Sequence, residues 1–479
     1  MPNATGRRLV AGALSMALPG AGQLYAGIVR RGVVLVAVTI ALAACAAAAA
    51  GPWPRYGIPS VDRRLAGAVL FADLALLAFR LFAVVDAWRA VRGRATAAAV
   101  AGLAVLTALT AAPHVGAAYV TVRGYGVLEH VFAAEPPRDV LPSRGLFVAP
   151  PQPRLVDRPP VAVNDGPPPA KPLQASPAVL EGREAAVARP WTTILLLGTD
   201  EGPGNWGART DTIILAALEH GTGRAALFGV PRNLTELALP GRAAREAKHF
   251  GQPINELYGF ARSRPELFAG GRNAGATALK QTVSLLLGVR VDYYGLVNLR
   301  GFADLVDALG GVRIRAKERI VDEVTRPAWG EPKPSVDVVP GRTYFMDGRE
   351  ALAYVRSRKD SDDYTRMARQ RCFLSAVADQ FDVIHALRHF GLLAGTIEDN
   401  VETDVPLNRV ATLLRLVAGV DSRKTLTQTF GLDYFSGRRA SDNFPVPNVG
   451  RIRATVRAVL LDPSRSARSG LASTTRQSC

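Results

Sequence analysis

Cysteine is scarce in this chain: three occur in 479 residues, Cys45 inside an apolar run, Cys372 and Cys479. That excludes a disulfide framework and a cysteine-ligated metal centre, while a single Cys372–Cys479 bridge stays open. Histidine is hardly more frequent, and the six present, at 114, 130, 220, 249, 385 and 389, form no metal pattern. His385 and His389 fall at i, i+4 without a third ligand, which reads as a solvated pair. Also missing are a G-x-x-x-x-G-K-[ST] loop, a G-x-S-x-G elbow and an H-E-x-x-H helix. Gly202-Pro-Gly204-Asn-Trp-Gly207 satisfies G-x-G-x-x-G. The β-branched stretch after it, Thr210 to Leu218, favours a strand where a dinucleotide site needs a helix.

Lysine is sparse as well, so the formal charge of +17 comes from arginine. Such a balance suits an anionic partner: nucleic acid, an acidic membrane surface or a phosphorylated glycan. With no helix-turn-helix and no basic-aromatic RNA motif, nucleic acid drops out.

Apolar residues crowd into the first 120 positions. Gly32 to Gly51 is long enough to cross a bilayer. A second span runs from Leu65 to Ala87, with Asp73 and Arg80 seven residues apart on one helical face, placed to neutralise each other. A third runs from Ala95 to Val120. Leu9 to Val29 is broken by Pro19-Gly20-x-Gly22 and reads as a re-entrant or interfacial element; its wording resembles that of small bacterial multi-helix membrane modules and implies no chemistry. Arginines at 7, 8, 30, 31, 89, 92 and 94 place the amino terminus inside and everything after Val120 outside, against the pull of Arg55, Arg63 and Arg64. The expected organisation is a membrane anchor of about three helices over 1–125, a proline-rich spacer over 126–190, a soluble domain over 191–461 and a disordered tail over 462–479.

The soluble domain opens with strand-like Thr192 to Leu197, then Thr210 to Leu218 and Ala225 to Val230. Helical patterns follow at Gly275 to Leu287, Gly301 to Leu309, Gly348 to Val355 and about Asp362 to Leu387, with a strand-like Val291 to Leu299 between the first two. The fold class is α/β, a central sheet with flanking helices, preceded by an all-α transmembrane region.

Arginines and acids recur in short clusters: Asp200, Arg209-Thr-Asp211, Pro231-Arg232, Arg356-Ser-Arg358 and Asp363-x-x-Arg366-x-x-x-Gln370. Arginine offers phosphate a planar fork of donors, and carboxylates set beside such an anion call for a cation. Phosphoryl chemistry on a pyrophosphate fits. Surface ion pairs, such as Asp211 with Arg209, are the plainer alternative. Asp363, Arg366 and Gln370 at i, i+3 and i+7 share one helix face. Arg356 and Arg358 would diverge by about 200° in a regular helix, so both reach one site only if the helix ends near Arg356.

The clusters and the apolar segments around them resemble, in order and wording, the LytR-CpsA-Psr family of bacterial cell-wall proteins. The resemblance rests on Ile194-Leu-Leu-Leu-Gly-Thr-Asp200, Arg209-Thr-Asp-Thr-Ile213, Val230-Pro-Arg-Asn233, Ile254-Asn-Glu-Leu-Tyr258, Leu287-Gly-Val-Arg-Val-Asp-Tyr-Tyr294, the Gly301 to Gly311 segment, and Met346 to Arg358 followed by Asp363 to Gln370. It implies a phosphotransferase that moves a glycopolymer from a polyprenyl-pyrophosphate carrier to peptidoglycan. It also implies an apolar pocket for the lipid with an arginine-lined mouth, in a domain outside the bacterial membrane. By motif position Asp200 and Asp211 would hold Mg²⁺, and Arg209, Arg232, Arg356, Arg358 and Arg366 would grip the phosphates. Asp363 and Gln370 would orient those arginines or the acceptor.

The chain departs from the family at two places. Asn233 stands where an aspartate is usual, and Pro253 where a lysine commonly precedes the Ile-Asn pair, with Lys248 the nearest replacement. A non-catalytic, membrane-anchored binder or scaffold for lipid-linked glycans is the competing expectation.

Overall fold

The computed structural model describes residues 4–50, 63–132, 191–200, 209–268, 273–323, 335–359, 362–380 and 390–474. Two compact units emerge, Met1–Glu129 with Leu407–Arg415, and His130–Pro406 with Leu416–Cys479.

The first unit contains α1 (Ala4–Ala17), α2 (Ala21–Tyr25), α3 (Val29–Ala50), α4 (Arg63–Ala90) and α5 (Ala97–Val131). Helices α3, α4 and α5 are each long and apolar enough to cross a membrane. Helix α1 has 14 residues, about 21 Å at 1.5 Å per residue, too short to span a hydrocarbon core of about 30 Å. The chain turns back at Gly20 (φ 106°), where a Cβ would lie 2.4 Å from the Gly32 carbonyl oxygen. Buried Gln23 ties this hairpin to α4, accepting from Ser15 Oγ (2.8 Å) and donating to the Ala83 carbonyl (2.9 Å) and Asp86 (3.1 Å).

Asp73 and Arg80 do not neutralise each other. Asp73 Oδ1 lies 2.7 Å from His114 Nδ1 on α5, and Arg80 donates to the Met16 carbonyl at 2.9 Å. Seven residues of helix separate the first two by about 10 Å along the axis, whereas a neighbouring helix offers partners at contact distance. Helix α5 runs on to Val131, so the first residues of the expected 126–190 spacer are helical; residues 133–190 of the spacer and 381–387 of the expected long helix lie outside the described residues.

In the second unit the strands are β1 (Trp191–Thr199), β2 (Thr210–Glu219), β3 (Ala225–Gly229), β4 (Leu237–Ala238), β5 (His249–Phe250), β6 (Tyr293–Asn298), β7 (Val312–Arg315), β8 (Ile320–Glu323), β9 (Ser335–Val338), β10 (Thr343–Met346), β11 (Val401–Thr403), β12 (Thr425–Thr429), β13 (Phe435–Arg438), β14 (Pro445–Pro447) and β15 (Ser473–Thr474). The central sheet runs β11-β6-β1-β2-β3-β12-β15. Strands β1, β2 and β3 are successive antiparallel neighbours, while β6 joins β1 and β12 joins β3 in parallel. The helices of this unit are α6 (Ala243–Glu246), α7 (Leu257–Ser263), α8 (Ala274–Leu287), α9 (Leu299–Ala308), α10 (Gly348–Arg356), α11 (Asp363–Gln380), α12 (Phe390–Asn400), α14 (Val449–Leu461) and α15 (Pro463–Arg468), while α13 (Leu407–Ala418) falls mostly within the residues grouped with the first unit. This is the expected α/β fold with helices on a central sheet.

Period-two alternation divides β1 between two layers. Leu195 and Leu197 point into the main core, with Leu215, Phe228, Leu279, Val283 and Val456. Leu196, Gly198 and Asp200 point to the opposite face. A smaller core around Val306, Ile314, Met346, Tyr354 and Phe373 holds α9, α10 and α11 together on that side.

The expected disordered tail is corrected by α15, whose Asp462 caps the Arg465 amide at 3.0 Å, and by β15, which pairs with β12 at the sheet edge. Ala472 is buried in the main core. A two-residue strand is held by backbone hydrogen bonds from its neighbour and leaves no mark in composition. Cys372 is disulfide-bonded and Cys45 is free; the Cys479 end of the bridge left open above lies outside the described residues.

Candidate active site

The site forms where β1 ends and β2 begins. Gly198 pairs with Thr212 and Thr199 with Thr210, so Asp211 is the extra residue of a bulge. Bulges re-aim side chains, and this one directs a carboxylate away from the ladder. Asp200 closes the base of the intervening loop, accepting the Arg209 amide at 2.7 Å.

Four charged groups then form a ring. Asp211 Oδ1 accepts from Arg232 Nη1 (2.6 Å) and Asn255 Nδ2 (3.3 Å), and its carbonyl accepts from Arg366 Nη1 (3.0 Å). Asp363 Oδ1 accepts from Arg366 Nη2 (2.8 Å) and pairs with Arg232 Nε (3.2 Å). Gln370 Nε2 donates to Thr212 Oγ1 at 3.0 Å, which fixes α11 against β2. Helix α10 ends at Arg356, and Ser357 is extended (φ −51°, ψ 135°), so Arg356 and Arg358 both line one cavity.

Burial by itself would raise the Asp211 carboxyl, but the charge and hydrogen bond of Arg232, helped by Arg366 and Asn255, hold it below the usual carboxylate range. For Arg356, burial lowers the guanidinium, and neighbouring Arg358 and Arg232 push the same way against Asp211 and Asp200. Among the described residues its Nη1 is buried without a hydrogen-bond partner, as are Ser357 Oγ and Asp363 Oδ2. Such orphaned groups cost free energy unless something binds them.

The cavity, about 300 Å³, runs back from these groups under α9 and α10. Its wall is apolar, with Leu196, Ile214, Leu296, Phe302, Leu352 and Leu374, and its polar end carries Asp200, Asp211, Arg356, Arg358 and Arg366.

A sequence model of the LytR_cpsA_psr family matches residues 180–442, more than half of the chain. The chain belongs to this family. Among its relatives are the polyisoprenyl-teichoic acid–peptidoglycan teichoic acid transferase TagU of Oceanobacillus iheyensis, 27% identical over 240 residues, and TagT of Bacillus subtilis, 26% over 247. The matches cover 50% of this chain in both cases, 66% of TagU and 68% of TagT. Biofilm regulatory protein A of Streptococcus mutans is 25% identical over 240 residues, 49% of this chain and 54% of that one. Similar solved structures include protein gbs0355 of Streptococcus agalactiae, with TM-score 0.44 and 20% identity over 60% of this chain and 92% of that one. TagV of B. subtilis follows with TM-score 0.42 and 22% identity, covering 57% and 98%.

Of the candidate residues in this LytR_cpsA_psr chain, Asp200, Asp211, Arg232, Arg356, Arg358, Asp363, Arg366 and Gln370 converge on the cavity mouth or its ring. Arg209 does not. Its side chain is exposed and pairs with Glu256 at 3.1 Å, so Asp211 takes Arg232 as partner in its place. Lys248 is exposed and does not line the cavity, so it does not stand in for the lysine that Pro253 replaces. Of the aromatics near the site, Tyr294 and Tyr354 are buried in the core, while Phe302 lines the cavity. Asn255, in the Ile254-Asn255-Glu256 segment, carries no signal of a role in the sequence, because its contact with Asp211 spans 44 residues.

Among the described residues no group of three His, Cys, Asp or Glu could hold a metal. A Mg²⁺ site needs less protein, because this ion is bound by one or two carboxylates and keeps water and phosphate oxygens as its other ligands. Asp200 and Asp211 both face the cavity, and Asn255 Oδ1 beside Asp211 is buried and unpartnered. These hard oxygen donors fit Mg²⁺.

Asp362 starts α11, accepting from the Thr365 amide and hydroxyl at 2.7 Å each. Those bonds hold its carboxyl below the usual range. Asp362→Ala should cost about 1 kcal/mol, the usual worth of such a cap. The sign follows from a depressed pKa: the stabilisation is present above the ordinary carboxylate range and fades as pH falls through the lowered value. Urea melts of wild type and variant at pH 7 and pH 3 check this, since the gap should shrink in acid.

Proposed function

We propose that this protein is a Mg²⁺-dependent phosphotransferase that moves a glycopolymer from a polyprenyl-pyrophosphate carrier onto peptidoglycan, forming a phosphodiester in cell-wall assembly. One observation carries the reading: a single cavity has an apolar interior and a mouth built of arginines and carboxylates with unfilled hydrogen-bonding capacity. A lipid pyrophosphate is the ligand that has both chemistries. The names of TagU and TagT support the same reading.

Phosphoryl transfer asks little covalent work of a protein, so positioning and neutralisation dominate. Arg356 and Arg358 meet the phosphates directly. Arg366 and Arg232 are held in place by Asp363 and Asp211, so their forks lose little freedom on binding. Asp363 Oδ2, buried and without a partner among the described residues, is an acceptor available to an incoming hydroxyl. Bound at Asp200 and Asp211, Mg²⁺ would supply Lewis-acid neutralisation of phosphoryl charge.

In this proposal α3, α4 and α5 cross the bacterial membrane and the catalytic unit lies outside it, as the arginine distribution supports. A reporter fused after residue 190 reads the side directly. The transfer itself is tested on the full-length chain in detergent, supplied with a polyprenyl-pyrophosphate glycan and peptidoglycan. Release of polyprenyl phosphate that stops with EDTA and returns with Mg²⁺ is expected. Tight binding without turnover, across several lipid and acceptor choices, would replace the enzyme with a non-catalytic binder and make Pro253 and Asn233 the first positions to restore.

A further inference from the structure

Strands β1, β3, β6 and β12 all end on one edge of the central sheet. The strand order β6-β1-β2-β3-β12 lays out what stands along that edge. The apolar cavity lies by β6 and β1. Next comes the ring, with Asp211 at the start of β2 and Arg232 just past β3, closed by Asp363 and Arg366 from α11. Beyond the ring, at the end of β12, stands Tyr364.

Its position follows from helical spacing. Arg366 and Gln370 line the cavity, whereas Tyr364, Met367 and Arg371, at i, i+3 and i+7, turn toward β3 and β12. Tyr364 lies against Gly431, where an added Cβ would meet only its ring, at 3.8 Å. Phe435, at the start of β13, is its aromatic neighbour, with ring centroids 6.5 Å apart and planes tilted by 41°. Both rings are half-buried, and Leu432, next to Gly431, is 65% exposed. Apolar side chains grouped in the open beside a charged site suit a ligand with an apolar face.

The proposed reaction selects that ligand. In phosphoryl transfer the attacking and leaving oxygens lie roughly in line across phosphorus. Polyprenyl phosphate leaves on the side of the apolar cavity, so the acceptor hydroxyl arrives from the opposite side of the ring, where Tyr364 follows Asp363. As its oxygen bonds to phosphorus, the bond to the polyprenyl phosphate oxygen breaks and the hydroxyl proton passes to Asp363 Oδ2. The faces of a sugar ring present C–H groups, which complement the electron-rich face of an aromatic ring.

We infer that Tyr364, Phe435 and Leu432 form the platform on which a pyranose ring of the peptidoglycan acceptor stacks. The inference rests on the transferase reading and adds the acceptor subsite to it.

Binding is measured by fluorescence anisotropy on the full-length chain in detergent, with labelled soluble peptidoglycan strands in one titration and a labelled polyprenyl pyrophosphate in another. Tyr364→Leu keeps apolar bulk without the ring. It should weaken strand binding by about five- to tenfold, the range of an aromatic contact, and leave the lipid pyrophosphate within about twofold. Tyr364→Phe should restore strand binding. Leu432→Ser, at an exposed position that the fold does not need, should weaken it by about threefold, and decides alone if Tyr364→Leu fails to fold. Unchanged strand binding in these variants, equal loss of both ligands, a Tyr364→Phe as weak as Tyr364→Leu, or wild type that binds no strand overturns the inference. Because no turnover is read, wild type that binds strands through these residues but never transfers would retain the platform and defeat the transferase reading alone.

Discussion

Arg356→Ala should lower kcat by about 10²- to 10³-fold, the range found when one preorganised donor to a developing charge is removed. The fold should survive, because among the described residues Arg356 lines the cavity without an ion pair of its own and Nη1 has no partner to lose. Arg356→Lys should recover only part of the loss, since a point charge does not reproduce the guanidinium fork. Arg366→Ala differs in kind: it removes donors from Asp363 and from the Asp211 carbonyl, and should lower both turnover and melting temperature. Steady-state release of polyprenyl phosphate, read beside circular-dichroism melts, separates the two. If Arg356→Ala raised KM alone and spared kcat, the residue would contribute only uniform binding and the proposed charge neutralisation would be wrong. The depressed Asp211 carboxyl adds a pH statement. The ring's contribution to stability is present above the ordinary carboxylate range and is lost as pH falls through the lowered value.

Asp404→Ala should destabilise the second unit by about 3–5 kcal/mol, the cost of breaking a buried charge pair from one side. Asp404 Oδ2 lies 2.7 Å from Lys280 Nζ, and its Oδ1 accepts the Tyr294 amide at 2.7 Å. The substitution leaves a half-buried ammonium and a buried amide unanswered just where β6 joins the sheet. Burial pushes the Asp404 carboxyl up despite Lys280, so ionising it costs more in the fold than in the open chain. The stabilising part of that shift is present below the ordinary carboxylate range and disappears as pH rises through the raised value. Lys280→Met/Asp404→Leu should therefore regain most of the loss at neutral pH. A double variant no more stable than Asp404→Ala, in thermal or urea melts, would show that the pair itself drives assembly of this part of the sheet.

Much of this architecture was legible because it is local. Apolar runs of strand length mark β1, β2 and β3, and spacing alone places Asp363, Arg366 and Gln370 on one helix face. The condition that α10 stop near Arg356, so that Arg358 can share its site, also follows from helical geometry. Other features depend on what the fold brings together. Asp211 takes Arg232 and Asn255, leaving Arg209 to Glu256, because a bulge sets its direction and the partners arrive from distant segments. Asp73 finds His114 on another helix before it can reach Arg80. The last strand, Ser473–Thr474, exists because β12 offers an edge.

The sequence by itself determined the first strands, the longer helices, the apolar spans, the family and most of the charged groups at the site, since each is written in residue type and short-range spacing. Only the tertiary structure decided which charges pair and which arginine stays outside the cavity. Those outcomes are competitions among partners far apart in the chain, and contact distance, not sequence separation, settles them.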